Sequence, residues 1–207
     1  ALWDFYATGR GSKDSGYGIT QKGSAGIATN EALYTREVPW GVISGEANIV
    51  NSFNEYSDAA IFVLGRSGGE GGDLSYTGAP DTIDGNYLQL SSVERDVLDN
   101  LINLKNAGKF KKVVLLINSA NAMQMDIISQ YEDTIDACMW IGQPGAGGMP
   151  GVAKLLAGKS NPSGRLVDTY VYDNASSPAM VNFYLHRYEN KNSYSLDDTQ
   201  TAYTVYQ

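Results

Sequence analysis

Histidine and cysteine each occur once in these 207 residues, and acidic side chains outnumber basic ones 23 to 15. Each scarcity removes a class of chemistry. His186 stands in a polar stretch with no cysteine or paired carboxylates at ligand spacing, so it reads as a surface histidine. Zinc sites and Ser-His triads, which need such partners, have no support. Cys138 has no second cysteine to pair with, and it lies inside the apolar run Ile135–Ile141, where a buried structural thiol is expected rather than a nucleophile. A net charge of −8, spread along the chain, argues against nucleic acid, whose phosphates call for basic stripes. No apolar run approaches the roughly 20 residues that span a bilayer, so no membrane segment is expected here. The opening residues Ala1-Leu2-Trp3-Asp4-Phe5-Tyr6 lack the basic and apolar regions of a leader peptide. With a single cysteine, that favours a cytoplasmic location over secretion.

What is present is an ordinary globular composition, 43% apolar, at a length that suits one domain over 1–207. Its core is expected over about 45–170, with 1–44 and 171–207 as irregular flanks. Residues 1–35 are rich in Gly, Ser, Thr and Tyr and predict loops with one short helix. Ile49, Phe53 and Tyr56 at helical spacing predict a helix within 46–57. Ala59–Leu64 is a short apolar run ended by glycines and predicts a strand buried on both faces. Ser91-Ser92-Val93-Glu94 is a capping box, and Val93, Val97, Leu98, Leu101, Ile102 and Leu104 continue it as an amphipathic helix ended by Asn106-Ala107-Gly108.

The alternation continues with a strand at Val113–Ile117, a helix over Ala122–Tyr131 and a strand at Ile135–Ile141. A glycine-rich turn at Gly142–Gly148, a helix over about Gly151–Leu156 and a short strand at Leu166–Tyr170 follow. Strand and helix in alternation predict an α/β fold, a three-layer α/β/α sandwich with a mostly parallel sheet.

The stretch with the most chemical content is Asp58–Leu74. There the first strand breaks into a loop in which Gly65, Gly68, Gly69, Gly71 and Gly72 surround Arg66, Glu70 and Asp73. Ligands of open α/β sheets gather at the carboxyl ends of strands. Glu70, on glycine-rich backbone that a ligand can approach closely, is a candidate general acid, nucleophile or metal ligand. A dinucleotide site is the other reading of such a loop. That fingerprint should open directly into a helix, whereas here about twenty breaker-rich residues intervene, and Glu70 would repel phosphate. No GxxxxGK[ST] phosphate loop is present.

Arg66-Ser67-Gly68-Gly69-Glu70-Gly71-Gly72-Asp73 resembles the acid/base loop of family 3 glycoside hydrolases, the β-glucosidase and β-xylosidase family, whose pattern is close to R-x-S-G-E-G-x-D. Three further stretches agree in order. Phe110–Ser119 resembles the family's next strand. Pro144-Gly145 with Leu155–Gly158 is similar to P-G-Q-E-G-G…V-L-F-G, and Asn161-Pro162-Ser163-Gly164-Arg165-Leu166 with Thr169 to N-P-S-G-R-L…T. The likeness covers roughly residues 45–170. Ala146-Gly147 stand where relatives carry Gln-Glu, and Leu74 where many carry Arg.

The resemblance implies the α/β sandwich domain of a retaining glycosidase. Glu70 would be its acid/base residue, and Arg66 and Asp73 would either shape the loop or contact sugar. The expected partners are a β-linked glycoside substrate and a (β/α)8 barrel carrying the nucleophilic aspartate. Such a barrel takes about 250 residues and does not fit within this chain. No cofactor and no metal is implied. Trp3, Trp40 and the tyrosines are candidates for sugar stacking or for the barrel interface, and Trp140 for the core. Arg165 is expected to satisfy carbonyls at the sheet edge. A sugar-binding or assembly module without chemistry is the competing reading.

Overall fold

The computed structural model describes residues 1–21, 33–66 and 88–176. At its centre is a parallel sheet of three strands in the order β3-β4-β5: β3 Ala60–Arg66, β4 Val113–Ser119 and β5 Ala137–Trp140. A separate antiparallel ribbon precedes it, β1 Gly18–Gln21 paired with β2 Leu33–Arg36. The helices are α1 Leu2–Ala7, α2 Trp40–Ser44, α3 Ala47–Ser52, α4 Ser92–Asn106, α5 Asp126–Gln130 and α6 Gly145–Leu156. The expected α/β class with a parallel sheet is what the chain adopts.

Register explains the core. Ala60, Phe62 and Leu64 on β3 lie level with Val113, Leu115 and Ile117 on β4, so all six project from one face. That face meets Val97, Leu98 and Ile102 of α4 and Ile127 of α5 in one buried cluster. Leu64, Leu98, Val113, Leu115 and Ile127 are fully buried. Each such side chain contributes about 1.5–3 kcal/mol. An edge-to-face contact between Phe53 and Phe110, ring centres 5.1 Å apart, joins the end of α3 to the approach to β4.

The opposite face corrects two expectations. Ile61 and Val63 on β3 are 46% and 43% exposed, so β3 is not buried on both faces. Leu116, on that same face of the middle strand, is only 2% exposed. Cover therefore grows from the edge strand inward, and an apolar run reads alike in either place. Cys138, expected to be buried, is exposed because β5 is the other edge strand of the described sheet. Desolvation by the surrounding chain still pushes its thiol up to about 11.

Helix α4 begins as expected. Ser91 Oγ accepts from the Glu94 amide at 3.1 Å, and Glu94 Oε2 accepts from the Ser91 amide at 2.8 Å. It ends in a Schellman motif, with Gly108 at φ +78 and the Gly108 and Lys109 amides bonded to the Lys105 and Leu104 carbonyls.

Elsewhere boundaries differ from expectation. The ribbon β1–β2 lies where loops were expected, since its Gly- and Thr-containing strands carry little hydrophobic pattern. Helix α5 is shorter than expected because the Gln124 and Met125 amides bond instead to the Leu88 and Val171 carbonyls. Helix α6 starts at Gly145, inside the expected turn. A Cβ on Gly148 would sit 2.7 Å from Pro144 Cβ, so glycine there serves close packing of the first helical turn rather than a bend. Residues 166–170 form no strand, and Leu166 and Val167 are exposed.

Candidate functional site

The three parallel strands bring Arg66, Ser119 and Trp140 to the carboxyl edge of the sheet, where Arg66 and Ser119 stand level on adjacent strands. Ser119 is fully buried, and its carbonyl accepts from Trp140 Nε1 at 2.7 Å. Its hydroxyl donates to the Asn121 carbonyl and accepts from the Asn121 amide at 2.9 and 3.0 Å. These bonds stiffen the exit of β4. Trp140 is half-buried against the core, as its sequence context implied.

Arg66 ends β3, and its side chain is fully buried. Nη1 donates to Glu94 Oε1 at 2.6 Å and Nη2 to Glu94 Oε2 at 2.7 Å, a two-pronged pair. Nη2 also donates to the Gln89 carbonyl at 2.6 Å and Nη1 to the Gly65 carbonyl at 2.8 Å. These contacts tie the guanidinium to Glu94 and to the backbone at Gly65 and Gln89. Glu94 is 4% exposed and serves both the cap of α4 and the guanidinium.

Polar contacts extend outward from the pair. Gln89 Nε2 donates to Gln124 Oε1 at 3.1 Å, and that oxygen also accepts from the Asn174 amide at 3.0 Å. The connections after β3 and β4 are thereby tied to the segment near residue 174.

On another side lies Glu37, between β2 and α2. Its Oε1 accepts from the Val38 amide at 2.7 Å and from the Tyr6 hydroxyl at 3.4 Å. Burial raises its carboxyl to about 7. The negative charge of Glu94 adds to the rise, while the Val38 and Tyr6 hydrogen bonds and the charge of Arg66 oppose it. Burial and the neighbouring Glu37 likewise push the Tyr6 hydroxyl up.

Glu70 and Asp73 lie outside the described residues. The structure brings Arg66 to the carboxyl edge, immediately before the Ser67–Asp73 motif. Trp3 is 81% exposed on α1, and Trp40 packs partly against the core. Arg165 is exposed, so it does not satisfy sheet-edge carbonyls as expected. Among the described residues no group of three or more His, Cys, Asp or Glu could hold a metal ion. No helix among them is long and apolar enough to cross a membrane.

Glu94 was legible only as a capping residue. The missed signal was Arg66 itself, since an arginine closing a buried strand needs a buried counter-ion. Glu37 carried no sequence signal.

The sequence profile of the glycosyl hydrolase family 3 C-terminal domain matches residues 16–205. The chain belongs to this family. Its fold agrees, because the family 3 C-terminal domain is an α/β sandwich. Among curated relatives, a β-glucosidase of Ruminococcus albus is 34% identical over 137 residues, covering 66% of this chain and 13% of that protein. A β-glucosidase A of Butyrivibrio fibrisolvens is 27% identical over 139 residues, covering 62% of this chain and 17% of that protein. The family 3 domain described here thus spans less than a fifth of either relative's length. No solved structure matches it significantly.

Proposed function

We propose that this domain supplies the general acid/base Glu70 to an active site completed by a (β/α)8 barrel, and that the assembly hydrolyses β-linked glycosides with retention. The observation that carries this reading is the placement of Arg66. It is the first residue of the stretch that resembles R-x-S-G-E-G-x-D, in which Gly68 stands at the Ser position, and it is locked at the carboxyl edge of a parallel sheet. The names of the two β-glucosidase relatives supply the substrate class.

Retaining hydrolysis needs two carboxyl groups about 5–5.5 Å apart across the scissile bond. Glu70 protonates the departing oxygen while an aspartate of the barrel attacks the anomeric carbon. Glu70 then takes a proton from the water that releases the glycosyl-enzyme. For the first step it must be protonated, which requires desolvation or a neighbouring anion, and the barrel supplies both. Alone, the 207-residue chain is catalytically idle.

The test is hydrolysis of an alkyl β-glucoside, whose leaving group needs protonation, by the chain mixed with, or joined to, its barrel. Activity is expected there and absent from the chain alone. Glu70→Gln lowers kcat/KM by about 10²- to 10⁴-fold, the contribution of a positioned proton donor. An undiminished rate in Glu70→Gln overturns the assignment. The reading as a module without chemistry then takes its place.

A further inference from the structure

We propose that Arg66 and Glu94 form a positioning clasp that closes the two ends of the segment 67–88 and so fixes the root from which Glu70 is presented. The proposal rests on the assignment of Glu70 as acid/base residue.

Topology is the first support. Arg66 is the last residue of β3, and Glu94 is in the first turn of α4; the chain leaves the sheet after the one and returns before the other. The same guanidinium also holds the Gln89 carbonyl at 2.6 Å, so both the departing and the returning backbone are bound to one planar group. Arg66 Nη1 bonds to the Gly65 carbonyl at 2.8 Å, which anchors that group to the strand it ends.

Energetics supply the second support. A buried ion pair is a poor device for stability alone, since apolar side chains of similar volume often do as well or better. Helix α4 does not require it either: the capping box uses only Ser91 and Glu94. What a two-pronged arginine–carboxylate pair adds is a fixed plane and direction. Side chains in apolar contact at the same place would fix a distance but leave rotation free.

The surroundings supply the third. Gln89 continues to Gln124 and thence to the Asn174 amide, so the returning end is braced against the exit of β4 and the segment at 174. Glu37 is a further titratable group that senses the pair, raised by Glu94 and lowered by Arg66.

The experiment uses the assembled enzyme, this chain with its barrel, and compares two β-glucosides. One has an alkyl leaving group that cannot depart unprotonated; the other has a dinitrophenyl group that can. Glu70→Ala sets the reference and should lower kcat/KM far more for the alkyl substrate. If Glu70→Ala shows no such difference, the acid/base assignment itself fails, separately from the clasp.

Given that reference, Glu94→Gln and Arg66→Lys should lower kcat/KM for the alkyl substrate by about 100-fold, the effect of misplacing a reacting group by about 1 Å. The dinitrophenyl substrate should be nearly unaffected. A merely structural role would lower both equally, through the folded fraction. The double variant Arg66→Met/Glu94→Leu guards against unfolding of the single ones. It should regain most of the wild-type denaturation midpoint, less the cap bond that Glu94 gives to α4, while keeping the alkyl-specific loss. Wild-type selectivity in that folded double variant, or equal losses on both substrates in the single variants, overturns the proposal.

Discussion

Asp136 and Val113 exchange two hydrogen bonds across the start of neighbouring strands: the Asp136 amide donates to the Val113 carbonyl at 2.9 Å, and the Val113 amide donates to Asp136 Oδ2 at 2.8 Å. The same carboxylate receives Lys105 Nζ from α4 at 2.7 Å and Lys112 Nζ at 3.2 Å. One side chain therefore sets where β4 and β5 begin pairing and pins the last turn of α4 to them.

Hydrogen bonding from Lys105, with help from the Val113 amide, holds the Asp136 carboxyl down at about 2. A carboxyl depressed in the folded state stabilises above its ordinary value near 4, and that contribution disappears as pH falls through about 2. Asp136→Asn is expected to lower stability by about 1 kcal/mol at pH 6, a figure reduced for solvent screening. The difference should shrink towards zero near pH 2. Urea unfolding of both proteins at the two pH values checks this, and a constant difference would contradict it.

Glu37 gives the opposite sign. Burial lifts its carboxyl to about 7 in the folded chain, above its ordinary value near 4.5. The folded state therefore holds the proton more tightly. The associated stability is complete below about pH 4 and is lost as pH rises through about 7. Glu37→Gln keeps an acceptor for the Val38 amide and removes the charge. It should be more stable than wild type at pH 8, by about 1–3 kcal/mol, with little gain at pH 4. Equal midpoints at pH 8 would show that the carboxylate is well solvated.

Sequence reasoning reached the α/β class, the three parallel strands and the cap of α4, because each is written in local signals: apolar runs, the Ser91–Glu94 box, and Gly108 past the helix end. It did not reach the exposed face at Ile61 and Val63. An apolar strand looks the same whether one face or two are covered, and cover is decided by elements far away in the chain. Arg66 could be located but not given a partner, since Glu94 lies 28 positions on and reaches it only once β3 and α4 pack. Glu37 became visible only when burial and the charge of Glu94 acted on it together.

Cys138 combines an exposed surface with a thiol raised to about 11 by desolvation. The thiolate is the reactive form, and at pH 8 its population is about 200-fold below that of a free cysteine near 8.5. Alkylation by iodoacetamide at pH 8 should therefore be much slower in the folded chain than in urea-unfolded chain. Its rate should keep rising with pH up to the limit of stability. A rate equal to that of the unfolded chain would mean that the thiol faces bulk water.

Ser91 and Arg66 both engage Glu94, yet for different ends, and stability measurements separate them. Ser91→Ala removes one cap and should cost about 1 kcal/mol. Arg66→Met leaves a buried carboxylate without its counter-charge and should cost about 3–5 kcal/mol. In Arg66→Met/Glu94→Leu that charge is gone as well, so much of the loss should return, less the cap that Glu94 gave to α4. A double-mutant cycle therefore expects strong coupling between Arg66 and Glu94 and weak coupling between Arg66 and Ser91, of about 0.5 kcal/mol. Strong coupling of Arg66 to Ser91 would mean that the cap and the clasp are one unit. Weak coupling of Arg66 to Glu94 would mean that the two-pronged contact carries little energy.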